Sequence, residues 1–287
     1  MISADAPLPV VRSVAGLRDL IGGWKAQGRT IAFVPTMGAL HEGHLDLVRE
    51  AGRRADQVVA SVFVNPAQFA AHEDLGRYPR QEAKDAELLA GAGCHLMYAP
   101  SVEEMYPDGA TTAIAVGGPA EDLEGAFRPQ MFGGVALVVA KLFNQVRPDV
   151  AVFGEKDWQQ LAVIRRMVRD LDVPVEIVGV TTARDGHGLA LSSRNAYLDP
   201  TQLDVARRLN GVLAEAAARA RSRTPLAAVE REAHAALLKA GFERIDYVAV
   251  RDAESLAPFR SGVVEGPARV LAAAWIGTTR LIDNLAV

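Results

Sequence analysis

The chain has 287 residues, enough for one large domain or two modest ones, and its 49% hydrophobic and 23% charged content excludes a disordered chain. With 31 Lys and Arg against 35 Asp and Glu, a net charge of -4 and interspersed signs, it lacks the basic excess of a nucleic-acid or membrane-surface binder. A lone cysteine, Cys94, excludes an intrachain disulfide, the opening Met1–Pro7 begins no charged, apolar leader, and no run reaches the roughly 18–20 apolar residues of a spanning helix, so a cytoplasmic protein is expected.

Thr30–Pro35, Gln57–Val64, His95–Ala99, Asp149–Phe153 and Val175–Val180 are short β-branched apolar runs and are predicted strands. Helical patterns fall between them at Leu45–Arg54, Arg80–Ala92, Gly133–Gln145 and Trp158–Leu171. Strand followed by helix, repeated, predicts an α/β fold with a Rossmann-like, doubly wound parallel sheet. Its ligand site should lie beyond the carboxyl ends of the strands, where the strand order reverses. Cys94, between Gly93 and His95, reads as a small buried side chain at a strand start rather than an activated thiol.

After about Thr182 the texture changes. A charged, Gly-containing loop (Arg184–Asn195) leads into Ala- and Arg-rich helical sequence running to about Ser222. Thr224 is a candidate N-cap with Pro225 at the first helical position, and Gly241 a candidate C-terminal cap. Ile245–Asp252 and Arg269–Ile276 fit strands, which makes residues 183–287 a smaller α+β domain after a first domain of residues 1–182.

Neither G-x-x-x-x-G-K-[ST] nor a G-x-G-x-x-G after the first strand occurs, so another device must hold phosphate. The candidate is Met37-Gly38-Ala39-Leu40-His41-Glu42-Gly43-His44, between the first strand and the first long helix. Gly38 and Gly43 permit close backbone approach, and the helix N-terminus offers N–H groups and positive potential to an anion. His41 and His44, three apart, could donate hydrogen bonds to phosphoryl oxygens as charge builds. Metal binding is the rival reading, but H-E-x-x-H requires a spacing of four.

Three further clusters fall at strand ends or adjacent loops. Gly154-Glu155-Lys156-Asp157 offers an ammonium to a polyphosphate, and Leu191-Ser192-Ser193-Arg194 offers two hydroxyls and a guanidinium as a mobile clamp. Asn65 and Gln68 are neutral amides in an apolar setting, suited to hydroxyls or a carboxylate on a small substrate. Taken singly, each of these three could equally be a solvated charge run, a capping turn or an Asn-Pro turn. Together with the loop of His41 and His44 they describe a nucleotide-using transferase or ligase.

P-T-M-G-A-L-H-E-G-H, F-V-N-P-x-Q-F, Y-P-R (Tyr78–Arg80), G-E-K-D-x-Q-Q-L and L-S-S-R-N, in this order and spacing from about Val11 onward, resemble the pantoate–β-alanine ligase family of the HxGH nucleotidylyltransferases. The resemblance implies a two-step reaction through a pantoyl adenylate, with ATP, pantoate and β-alanine as ligands, magnesium as cofactor and a homodimeric assembly. It assigns ATP contacts to Met37 through His44, Gly154 through Asp157, Ala183 and Leu191 through Arg194, with His44 as proton donor and His41, Lys156 and Arg194 offsetting charge. It also assigns Gln68 to pantoate and β-alanine, Gln160 to pantoate and Asp85 to the magnesium.

The chain departs from the family pattern in two places: Gln130 and Met131 stand where Gly and His are usual, and His187 where Asp is usual. Two other readings remain. One is an HxGH nucleotidylyltransferase that keeps its adenylated product; a phosphorylated acceptor would call for Arg or Lys where Gln68 and Gln160 stand. The other is a ligand-binding module without activity, against which the set His44, Lys156 and Arg194 argues.

Overall fold

The computed structural model describes residues 8–70 and 73–287, so the leader reading of Met1–Pro7 lies outside the described residues. The chain forms two compact units. The first comprises residues up to Val116, Arg128–Glu155 and Val163–Thr181; the second comprises Gly117–Phe127, Lys156–Ala162 and Thr182–Val287.

The first unit is built on six parallel strands, β1 (Val10–Val11), β2 (Ile31–Thr36), β3 (Gln57–Val62), β4 (Leu96–Tyr98), β5 (Val150–Gly154) and β6 (Glu176–Val180), in the order β1-β4-β3-β2-β5-β6. The order reverses between β2 and β5, so the doubly wound sheet carries its switch point there. Both faces are covered, which is why these strands read as unbroken apolar runs. Ala32, Val34, Val58, Ala60 and Val152 form a core with Leu47, Val48 and Ala51 of α2 (Glu42–Arg54) and Leu89 of α3 (Glu82–Gly91). The alternate residues Ile31 and Phe33 are equally buried and face the other way. On that side α1 (Val14–Ala26) packs on α6 (Met131–Val146), which touches β2; a short α4 (Val102–Met105) follows β4.

The second unit pairs three antiparallel strands, β7 (Arg244–Asp252), β8 (Ala268–Ile276) and β9 (Thr279–Ala286). Leu209, Leu213, Val229 and Leu237, from α9 (Arg208–Arg221) and α10 (Leu226–Ala240), form one core with Val248, Val270 and Ala272, and α8 (Pro200–Ala206) adds Ala206. The opposite sheet face buries Ala249 and Leu271 under Leu123, Trp158 and Ala162, contributed by the short segment holding α5 (Glu124–Phe127) and by the first residues of α7 (Trp158–Asp170).

Several boundaries differ from the sequence expectations. The helix expected from Leu45 begins at Glu42, which makes His44 part of its first turn. Pro225 itself occupies the N-cap position of α10, and Thr224 precedes it, while Gly241 takes the expected left-handed cap with φ 108°. α1 was not anticipated because Gly16, Gly22 and Gly23 dilute its helical pattern. β9 was not anticipated because the polar residues Thr279, Asp283 and Asn284 occupy buried positions, breaking the apolar alternation. Among the described residues no helix is long and apolar enough to cross a membrane.

Candidate active site

In the first unit, β2, β3 and β5 are parallel, so the residues after Thr36, Val62 and Gly154 emerge at one edge of the sheet. Beyond β2 the backbone turns through Gly38 (φ 79°) and Ala39 (φ 52°), a left-handed conformation that is uncommon for alanine. Three bonds hold it. Thr36 Oγ1 accepts the Gly38 N–H (3.2 Å) while donating to the Ser61 carbonyl oxygen (2.7 Å). The Ala39 and Leu40 N–H groups donate to the two oxygens of Asp85, at 3.0 and 2.9 Å. Asp85 is only 1% exposed. The close approach that Gly38 permits is to this carboxylate: a Cβ there would lie 2.9 Å from Asp85 Oδ2 and 3.0 Å from Val62.

The metal role expected of Asp85 therefore finds no support in its surroundings. A buried carboxylate with both oxygens engaged by backbone amides is a clamp on the loop, and it does not fit a magnesium ligand. Among the described residues no group of three or more His, Cys, Asp or Glu is arranged to hold a metal.

His41 is the N-cap of α2 and His44 its third residue. Their rings are 4.1 Å apart between centroids, tilted by 39°. The His41 backbone N–H donates to His44 Nδ1 (3.3 Å). That nitrogen must be unprotonated to accept, so a proton on the His44 ring in this arrangement would be on Nε2. Both histidines are half-buried, at the sheet edge where Gly154 also ends.

Asn65 follows β3 and is 1% exposed, so the substrate contact expected of it is closed off. Its side chain instead organises the turn. Oδ1 accepts the Ala67 N–H (3.2 Å) and the Tyr106 hydroxyl (2.8 Å), and Nδ2 donates to the Gly134 carbonyl (3.2 Å) and to Gln68 Oε1 (3.0 Å). Gln68 is half-buried, and its Nε2 donates to Met37 Sδ (3.3 Å), which joins the loops after β2 and β3.

In the second unit, the side chain of Lys156 is 19% exposed and its Nζ lies 3.6 Å from Asp157. The Lys156 carbonyl accepts from Asn284 Nδ2 (2.9 Å). The adjacent Asp283 pairs with Arg184 in a two-pronged bridge (2.7 and 2.9 Å) at the base of the following loop. β9 thus anchors both predicted segments, the turn at 156–157 and the loop at 183–194. Within that loop Leu191 N–H donates to Ala183 O, Asp185 accepts from His187 and Leu189, and Ser192 Oγ caps the turn that holds Ser193 and Arg194. The glycines of this loop do not leave it untethered, and His187 is exposed. Gln160 is half-buried, whereas its neighbour Gln159 is fully occupied: it donates to Pro119 O and Asp122 O and accepts from Glu124 N–H.

Sequence reasoning missed Tyr106, Gly134 and Gln159. Their partners lie far away in the chain or on backbone groups, and no local motif announces them. Cys94 is buried and its thiol pushed up to about 11 by burial, which leaves it inert as expected.

The family profile described as Pantoate-beta-alanine ligase matches residues 9–286. The pantothenate synthetase of Caulobacter vibrioides is 57% identical over 97% of this chain and 98% of its own, and that of Mesorhizobium japonicum 56% over 97% of each. The crystal structure of pantothenate synthetase from Thermus thermophilus superposes with a TM-score of 0.90 at 47% identity, covering 97% of this chain and 99% of that one. The pantoate-beta-alanine ligase of Francisella tularensis, complexed with beta-gamma ATP and beta-alanine, gives 0.81 at 31% identity over 97% of both chains.

Proposed function

The chain belongs to the pantoate-beta-alanine ligase family, and from that premise we propose a role for each residue at its site. It is an ATP-using ligase that joins pantoate to β-alanine. The pantoate carboxylate oxygen attacks the α-phosphorus of ATP, the bond to the β-phosphate oxygen breaks, and pyrophosphate leaves. The β-alanine amine then attacks the acyl carbon of the pantoyl adenylate, releasing AMP. Activation resides in the mixed anhydride, so no covalent bond to the enzyme is needed.

The observation that carries the reading is the pair His41 and His44 at the start of α2, directly beyond β2, with His44 Nδ1 accepting the His41 N–H. A proton on Nε2 would be the hydrogen that His44 offers to a phosphate oxygen as negative charge accumulates. His41, Lys156 and Arg194 offset the repulsion between carboxylate and polyphosphate, and Ser192 and Ser193 add hydroxyl donors. Gln68 and Gln160 hold the pantoate oxygens. Magnesium would come with the polyphosphate and would offset part of its charge. Residues 1–182 bind nucleotide and pantoate; residues 183–287 keep water from the hydrolysis-prone anhydride. The enzyme works in the cytoplasm as a homodimer.

Rapid-quench analysis with ATP and pantoate alone tests the order of events. Pyrophosphate is expected to form in a burst equal to the enzyme concentration, with AMP release waiting for the amine. Absence of any pyrophosphate until β-alanine is added would reject the adenylate route.

A further inference from the structure

A carboxamide reads a ligand differently according to which end it presents, because the oxygen accepts and the nitrogen donates. At Gln68 the choice is made by other residues. The Ala67 N–H can only donate and the Gly134 carbonyl can only accept, and with the Tyr106 hydroxyl also donating to Oδ1 the three hold Asn65 with Oδ1 toward Ala67 and Nδ2 toward Gly134. Nδ2 has a second hydrogen, and it can be met on Gln68 only by Oε1, 3.0 Å away. The nitrogen of Gln68 is thereby turned outward, where it donates to Met37 Sδ, a weak acceptor that a ligand oxygen readily replaces.

We propose that Asn65 and Tyr106 set the polarity of Gln68, so that the site offers an N–H donor to oxygen ligands and denies an acceptor to an ammonium group. Both substrates assigned to Gln68 carry oxygens that match a donor: the hydroxyls and carboxylate of pantoate and the carboxylate of β-alanine. Tyr106 completes the device by donating to Asn65 Oδ1 from the far side (2.8 Å), and its half-buried hydroxyl is held in the neutral, donating form, its pKa pushed up to about 12 by burial. Tyr106 and Asn65 are positioning residues that act through Gln68. Gly134 is part of the same arrangement: a Cβ there would lie 2.2 Å from the Ala67 carbonyl oxygen, so only glycine lets the turn rest on α6 closely enough for the Asn65 bond.

The inference rests on the reading of Gln68 as a pantoate contact, and the experiment separates the two. Tyr106→Phe keeps the ring and its packing near Phe63 while deleting the donor. The KM for pantoate is expected to rise roughly five-fold, the change expected from one neutral hydrogen bond, with the KM for ATP unmoved. Gln68→Glu, which presents oxygen whatever its neighbours do, should raise the pantoate KM far more. In the Gln68→Glu background Tyr106→Phe should then add nothing, since there is no polarity left to set. Additive effects in the double variant, or a Tyr106→Phe enzyme with native pantoate KM beside a crippled Gln68→Glu, would overturn the polarity device while leaving the pantoate contact standing. A Gln68→Glu enzyme with native pantoate KM would overturn both. Asn65→Asp, checked for native melting, supplies the complementary variant: its carboxylate cannot donate to Gln68 Oε1, and a pantoate KM matching that of Gln68→Glu is expected.

Discussion

Asp85 shows how a carboxylate can brace the loop after a strand from behind. Its charge is spent on the Ala39 and Leu40 amides, holding the Gly38–Ala39 turn in a conformation that would otherwise cost about 1–3 kcal/mol. Asp85→Asn can accept one of those amides but turns its own NH2 toward the other. A loss of about 2 kcal/mol in stability is expected, with a raised KM for ATP and an unchanged magnesium requirement. A shifted magnesium requirement with an unmoved melting temperature would return Asp85 to the metal. Lys156 is the converse case, a partly exposed cation paired with Asp157, so Lys156→Ala should leave melting within a degree or two. Its adenylation rate should fall about a hundredfold, or about 3 kcal/mol of barrier; a native rate would remove it from the chemistry. The motif residues His41, His44 and Gln68, to which phosphate and substrate contacts are proposed, could be singled out in the sequence because such contacts demand specific side chains at loop positions. Asn65 and Asp85 were also singled out, yet the backbone bonds they make here were not foreseen, since spacing does not reveal whether a polar group faces a ligand or a backbone amide.

At the level of elements, the parallel sheet was legible because strands buried on both faces leave continuous apolar runs with helices between them. β9 and α1 were not, because polar inward residues and glycines blur the periods on which such reading depends. The junction of β3 and β4 carries a titratable element. His95 Nδ1 accepts the Val58 N–H (2.9 Å), and burial lowers the pKa of its imidazole from the ordinary 6.5. Below about pH 6.5 an unfolded chain takes up a proton there that the folded one refuses. The contribution of His95 is therefore complete above that pH and is lost as the pH falls toward the depressed folded value. His95→Gln, whose amide oxygen can accept the same N–H without titrating, should narrow its stability gap to the native enzyme as the pH drops from 8 to 5. A gap that stays constant would show that His95 does not titrate with folding.

Taken as a whole, the chain passes between its two compact units after Val116, Phe127, Glu155, Ala162 and Thr181. The strips at 117–127 and 156–162 cover one face of the second unit's sheet, with Leu123 and Trp158 against Ala249 and Leu271. Glu124 accepts from Tyr247 and Arg280, and Gln159 ties the first strip to the second. A fragment comprising residues 183–287 should consequently expose that face, bind a hydrophobic dye and melt without cooperativity, although its helices and strands are all present. A cooperative melt from the fragment alone would show that the strips are dispensable. The same weaving imposes an order on synthesis. Leu123 and Trp158 leave the ribosome well before Leu271, so at about 5–20 residues per second the strips wait on the order of ten seconds for the strand they are to cover. A nascent chain of this enzyme therefore carries an uncommitted apolar ribbon through the middle of its translation, the kind of segment that chaperones bind and that pauses in translation lengthen.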